Sequence, residues 1–201
     1  MFGSDLIEDR VINPKQKGPA IVPFITAGYP NKDDFLSLVK ALANCADVIE
    51  IGVPFSDPMA DGVTIQRSSH AAIESGVRLR WILKQLKTIR IDTPIILMSY
   101  LNPLFVYGYA ELAQDSKDAG VDGFIVPDLP IEEGEELREI MKLAGLGTIQ
   151  LVTPATPEER IKKIAEKSSG FLYAVTMKGV TGKSGGPVSY THLTLPTICS
   201  V

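Results

Sequence analysis

Glu50 stands in the middle of an apolar, β-branched run, Val48-Ile49-Glu50-Ile51-Gly52-Val53. A carboxyl taken out of water resists ionisation, so it is either paired with a cation or held as an acid able to pass a proton near neutral pH. Strand alternation puts Glu50 on the side of Val48 and Gly52 and leaves Ile49, Ile51 and Val53 on the other. If that second set packs against helices, Glu50 points into the interior of a closed sheet near its C-terminal end. The following loop, residues 54–62, is polar and broken by Pro54, Pro58 and Gly62, and Thr64 reads as the entry to a helix. Asp61 is a candidate second carboxylate on the same rim, although Asp before Gly is commonly a turn residue. Ser56 and Asp57, just before Pro58, read as loop-shaping residues. Tyr173 shares its strand parity with Phe171 and Val175, where a tyrosine either packs or offers its hydroxyl. Thr181 and Gly182 lie in a glycine-rich stretch with Lys183 whose amides could face a phosphate. Asn102 before Pro103, and Asp128 between Pro127 and Pro130, each read as structural when taken alone. Nothing has metal-ligand spacing, and no Ser-His or Cys-His pair is suggested, so metal-assisted and nucleophilic mechanisms find no support.

The elements that must position these groups alternate along the chain. Ile21–Thr26 reads as a first strand, and Asn31 is placed to cap a helix whose apolar face is Phe35, Leu38, Val39 and Leu42. The Glu50 strand is the second, followed by helical stretches at Thr64–Glu74 and Leu79–Arg90. Ile95–Met98 is a third strand leading into a loop at Ser99–Pro103, and a helix near Ala110–Ala119 precedes a fourth strand at Gly123–Val126. A helix over Glu132–Leu143, a strand at Ile149–Val152, a helix over Glu158–Lys167 and a sixth strand at Phe171–Val175 complete the series. Before the first strand, Met1–Gly18 is polar and broken at Asn13-Pro14, so at most a short helix is expected there. Short apolar strands alternating with helices predict a parallel sheet buried on both faces. No glycine-rich dinucleotide fingerprint follows the first strand, and polar loops follow several strands rather than one switch point. Both facts favour a (β/α)8 TIM barrel over an open doubly wound sheet, with about the first six of its β/α units present.

At 201 residues the chain fits one domain, and its net charge of −4 leaves no basic footprint for nucleic acid. It has no apolar run long enough to span a bilayer and no signal-peptide pattern, and its two cysteines, Cys45 and Cys199, frame neither a disulfide scaffold nor a zinc site. A cytoplasmic location is the expectation.

Residues 188–201 contain no Asp, Glu, Lys or Arg. Ordinary charged usage gives any such window a chance of about 2%. Val188–Thr197 resembles the conceptual translation of a transposon-end adaptor used in sequencing libraries. The domain is therefore expected to occupy residues 1–187, with 188–201 a non-native tail in which His192 and Cys199 have no role. A divergent natural tail is the alternative, and resequencing the locus separates the two.

Together the loops are far more specific than any one of them. Residues 23–30 (PFITAGYP), the Glu50 stretch through Gln66, Tyr100-Leu101-Asn102-Pro103, Pro127-Asp128-Leu129-Pro130 and Gly179-Val180-Thr181-Gly182 occur in order. This set resembles the α subunit of tryptophan synthase from about Ile21 to Gly182. The resemblance implies a TIM barrel that cleaves indole-3-glycerol phosphate to indole and glyceraldehyde 3-phosphate, without a cofactor of its own. It also implies an α2β2 tetramer in which the indole passes to a pyridoxal-phosphate-dependent β subunit. Position by position, it makes Glu50 and Asp61 the catalytic carboxylates and Tyr173 an active-site tyrosine that helps position Asp61 or substrate. Phe24, Tyr100, Ile125, Pro127 and Leu151 become walls of the indole pocket. Thr181 falls in a closing loop, and Gly182 at a phosphate contact. Asp57, Asn102 and Phe105 fall on the surface that meets the β subunit, in what read as loops.

The same resemblance makes two departures visible. The proline-broken N-terminus puts the helix that usually plugs the barrel floor in doubt. Strands seven and eight, with most phosphate-binding amides, are not recognised. On that ground the chain as written is expected to be poorly soluble, to leave strands one and six as unpaired edges, and to turn over little substrate. Two other functions remain open at this stage. One is a different barrel lyase or isomerase acting on a sugar phosphate, for which Phe24→Ala would leave activity intact. The other is a non-catalytic subunit that activates a partner, for which Glu50→Gln would be harmless.

Overall fold

Strands that are apolar on both faces need helices on one side and a shared interior on the other. The computed structural model describes residues 3–175 and 197–200 and shows that arrangement. A helix, α1 (Gly3–Ile12), precedes β1 (Phe24–Thr26), a 3-10 turn (Lys32–Asp34) and α2 (Phe35–Ala43). Then come β2 (Ile49–Gly52), α3 (Val63–Glu74), α4 (Leu79–Leu86), β3 (Ile95–Met98), α5 (Leu101–Tyr107), α6 (Tyr109–Asp118) and β4 (Gly123–Ile125). The remaining elements are α7 (Glu135–Ala144), β5 (Gly147–Val152), α8 (Glu158–Lys167), β6 (Leu172–Val175) and β7 (Thr197–Ser200). Every strand pairs in parallel with its successor in the chain, the wrapping order of a barrel wall.

The two faces of each strand divide as the alternation requires. Ile49, Ile51, Val53, Ile95, Leu97 and Phe124 are buried with helical residues such as Val39, Leu83, Leu86, Leu112 and Met141. Val48, Ile96, Ile125, Ile149 and Phe171 form a separate apolar cluster on the inner side. Val152, Leu172 and Ala174 continue the outer layer against Ile161 and Ile164 of α8.

Three features differ from the reading of the sequence. First, α1 is a ten-residue helix, and its Ile7 is wholly buried in the inner cluster, closing the barrel floor. The floor is made of glycine so that Ile7 can enter. A Cβ on Gly170 would lie 2.8 Å from Ile7 Cγ2, and one on Gly123 would lie 3.0 Å from Ile7 Cδ1. Second, Leu101 to Phe105, read as loop, belong to the helix α5. Pro103 occupies its first turn, where the missing N–H has no intrahelical partner to lose. Third, β6 is not an edge, because β7 pairs along its full length.

β1 is shorter than expected because Pro23 has no N–H for the ladder. Its carbonyl still accepts from the Glu50 amide at 3.0 Å, and the Ile21 carbonyl accepts from the Asp47 amide at 2.9 Å. The chain therefore follows the strand path from Ile21 onward.

Candidate active site

Register sets Glu50 between Phe24 on β1 and Ile96 on β3, on the inner face. It shares that face with the apolar cluster of Val48, Ile96, Ile125 and Ile149 and is only 3% exposed. Desolvation pushes its pKa from 4.5 to about 8. Its Oε1 is buried and has no hydrogen-bond partner among the described residues. The ion-pair alternative raised by the sequence is thus not realised there.

Asp47, three residues earlier and also buried, shows the contrast. Its two carboxylate oxygens accept from the amides of Lys15 at 2.6 Å and Ile21 at 2.8 Å. One carboxylate is spent on holding backbone. The other is aimed into the barrel with a proton to exchange.

Asp61 lies in the loop between β2 and α3, partly buried. Burial raises its pKa, and the hydroxyl of Tyr100 opposes that rise by hydrogen bonding to it. The same hydroxyl accepts from the Ala60 amide at 2.8 Å. It therefore takes the N–H of the residue before Asp61 and lies where it favours the charged form of the Asp61 carboxyl. The Tyr100 ring stacks on Phe55 with centroids 5.1 Å apart. Sequence reasoning made Tyr100 a wall of the pocket and missed both this clamp and Phe55. The aromatic pair lies far apart in the chain, and no local pattern marks it.

Phe24 stands at the mouth, 36% exposed, with its ring on Gly52 of the neighbouring strand. A Cβ on Gly52 would lie 2.5 Å from Phe24 Cζ, so any side chain there would have to displace that ring. This second role of the Glu50 strand was also missed. Ile125 and Leu151 line the inner cluster, the former buried and the latter partly so, together with Met98. Tyr173 belongs to that lining too, its ring 6.4 Å from that of Phe171. Pro127 begins the loop after β4, half-buried. The structure thus brings Phe24, Glu50, Ile125, Leu151 and Tyr173 to one interior, with Asp61 and Tyr100 on the loops above β2 and β3. Thr181 and Gly182 lie outside the described residues.

Asp57, Asn102 and Phe105 sit on the outer surface of those loops and of α5. Asp57 is exposed and accepts from the Ser56 hydroxyl at 2.6 Å. Asn102 is exposed, and Phe105 and Val106 are 68% and 76% exposed on a helix that buries Leu104 and Tyr107. Met59, in the Asp61 loop, is 84% exposed. Apolar side chains are thus left exposed to water on both the Asp61 loop and α5.

Among the described residues no three His, Cys, Asp or Glu side chains are grouped to hold a metal, and no helix is long and apolar enough to cross a membrane. A cleft of about 520 Å3 lies at the opposite end of the strands, lined by Arg10, Lys15, Lys40 and Thr93. It is remote from Glu50, and Lys15 there is engaged by the Ala43 carbonyl and the Thr93 hydroxyl.

The family model of the tryptophan synthase alpha chain matches residues 12–194. That match ends inside the 188–201 stretch. The tryptophan synthase alpha chain of Desulfovibrio desulfuricans is 44% identical over 185 residues, covering 90% of this chain and 72% of that one. The corresponding protein of Geotalea daltonii is 50% identical over 171 residues, covering 84% of this chain and 65% of that one. Among solved structures, tryptophan synthase subunit alpha from Legionella pneumophila superposes with a TM-score of 0.78 at 38% identity, covering 87% of this chain and 67% of that one. The tryptophan synthase complex of Pyrococcus furiosus gives 0.74 at 41% identity, covering 78% and 65%.

Proposed function

The chain belongs to the tryptophan synthase alpha chain family, and from that premise we propose that Glu50 moves the protons, and Asp61 holds the indole N–H, in the cleavage of indole-3-glycerol phosphate. Members of this family make indole and glyceraldehyde 3-phosphate by that cleavage in tryptophan biosynthesis, and partner with a β subunit. The observation that carries the assignment is the buried carboxyl of Glu50, whose Oε1 has no hydrogen-bond partner among the described residues and whose pKa near 8 keeps it protonated at neutral pH.

The chemistry follows from that protonation state. Glu50 gives its proton to indole C3, which turns the ring into an iminium-like electron sink. As a carboxylate it then takes the proton of the glycerol hydroxyl next to C3. The carbonyl of glyceraldehyde 3-phosphate forms, the bond to C3 breaks, and its electron pair returns to the ring as indole. Positive charge develops at the indole nitrogen during this sequence, and an anionic Asp61 accepting its N–H stabilises it. The Tyr100 hydroxyl favours that anion by hydrogen bonding to it.

Phe24, Tyr100, Ile125, Pro127 and Leu151 form the flat apolar walls that an indole requires. Tyr173 orients substrate beside Glu50. Thr181 and Gly182 are assigned to the closing loop and the phosphate on their sequence motif. The electron sink is the indole ring itself, so the cleavage needs no resident cofactor, and pyridoxal phosphate belongs to the β subunit. The face carrying Asp57, Asn102 and Phe105 docks that subunit, supported by the exposed Met59, Phe105 and Val106.

The test is indole release from indole-3-glycerol phosphate, with and without a tryptophan synthase β subunit, by the longest reading frame that contains this chain. Glu50→Gln is expected to lower the rate by about 100-fold or more. Unchanged indole release in Glu50→Gln would overturn the assignment.

A further inference from the structure

α5 is a short helix whose start is held from outside. Its N-cap is Tyr100, in extended conformation at φ −66 and ψ 158, and makes no side-chain cap. The Leu101 amide at the first helical position is instead taken by Asp128, whose Oδ1 accepts it at 2.9 Å. Asp128 comes from the loop after β4, between Pro127 and Pro130, two residues of fixed φ. The Leu129 amide closes that loop onto the Val126 carbonyl at 3.3 Å. A stiff loop therefore grips the helix one peptide away from Tyr100.

Resting on the reading of Asp61 above, we propose that Asp128 is a positioning residue for Asp61, acting through the Leu101 amide and the Tyr100 hydroxyl. The tyrosine is a rigid lever. With one end fixed by Asp128, its ring lies on Phe55 and its hydroxyl accepts the Ala60 amide beside Asp61, where it favours the charged form of that carboxylate. A rotation of about ten degrees at its Cα carries the hydroxyl about 1 Å, enough to break a hydrogen bond and, at a reacting site, to cost on the order of 100-fold in rate. Among the described residues, the ionisable groups acting on this cluster are Asp61, Tyr100 and Asp128 themselves. Burial pushes Tyr100 to about 12, so it stays a neutral donor while Asp61 titrates. α5 also carries Asn102 and Phe105, so the same clamp ties the proposed partner surface to the group that holds the indole N–H.

The sign of one measurement separates this from a bland cap. Removing the negative charge of Asp128 would, by charge alone, lower the pKa of Asp61. Losing the Tyr100 hydrogen bond raises it. Carboxyl-13C aspartate labelling of the chain, with Asp61 assigned through Asp61→Asn, follows that titration by NMR without any turnover. It is therefore independent of whether Glu50→Gln proves the lyase reading right or wrong.

Tyr100→Phe and Asp128→Ala are each expected to move the Asp61 midpoint upward, and the double variant no further. Asp128→Asn, whose amide oxygen can accept the same N–H, is expected to restore it. Leu101→Pro removes that amide without touching Asp128, at a first helical position that tolerates proline, and is expected to repeat the upward movement even if Asp128→Ala does not fold. An Asp61 midpoint that stays put or falls in Asp128→Ala and Leu101→Pro, while Tyr100→Phe raises it, overturns the proposal. So does an additive shift in the double variant.

Discussion

Glu50 makes this fold less stable as the pH rises, and Glu50→Gln should remove that dependence. In the unfolded chain the carboxyl titrates near 4.5, and in the fold near 8. Below 4.5 both states hold the proton and the residue costs nothing electrostatically. Between the two values the unfolded chain releases the proton and the folded one keeps it, so the unfolded state gains. Above 8 the fold must contain a carboxylate in hydrocarbon. The full loss across this window is about 5 kcal/mol, of which about 3 kcal/mol is already present at pH 7. That is a large part of the roughly 5–15 kcal/mol that holds a domain together. A glutamine has nearly the same shape and no proton to lose. Its amide keeps a desolvation cost, since Oε1 has no partner at this position, but that cost does not vary with pH. Urea unfolding of both proteins near pH 5 and pH 8.5 is the assay. The original chain is expected to lose about 4 kcal/mol relative to Glu50→Gln between those conditions. Asp122, raised by burial to about 6, adds a loss common to both proteins and cancels in the difference. Parallel stability curves would refute the reasoning, because they would mean that Glu50 ionises in the fold as easily as in water.

Other positions carry expectations of their own. Gly52→Ala sets a Cβ 2.5 Å from Phe24 Cζ. Displacing the ring is expected to cost about 1–3 kcal/mol of stability and to raise KM for indole-3-glycerol phosphate, read by thermal unfolding and steady-state kinetics. Ile7→Ala empties the barrel floor, for an expected loss of about 2–5 kcal/mol in denaturant unfolding; a loss below 1 kcal/mol would show that α1 does not seal the interior. Phe105→Glu puts a charge on the exposed face of α5. Calorimetric titration with a tryptophan synthase β subunit should show affinity weakened by at least about tenfold. Equal affinity would place the docking surface elsewhere.

Much of this arrangement was legible from residue order. The parity of Val48 to Val53 was enough to send Glu50 inward and its isoleucines outward, because a strand turns alternate side chains to opposite faces whatever surrounds it. Local patterning of apolar residues likewise located β3 and α8 with the boundaries observed. Where local rules failed, they failed for identifiable reasons. Pro103 looked like a breaker of structure, yet in the first turn of α5 it removes only an amide with no intrahelical partner. The polar start with Asn13-Pro14 hid α1, whose single deeply buried side chain, Ile7, makes too little pattern to read. The room for Ile7 is provided by glycines more than a hundred residues away, at 123, 147 and 170.

What the sequence determined by itself is which groups exist and which way their strands turn them: a carboxyl among isoleucines, a second one on a proline-bounded loop, and aromatic side chains in a set order. Only the tertiary structure decided what each of them meets. Asp47 and Glu50 are both buried carboxyl groups three positions apart, but one is satisfied by the amides of Lys15 and Ile21 and the other is left with Oε1 unpartnered among the described residues. Asp61 meets Tyr100, and Leu101 meets Asp128, only because β2, β3 and β4 lie side by side. Ionisation and hydrogen bonding depend on all the atoms within a few ångströms, and strand order rather than neighbouring sequence brings those atoms together.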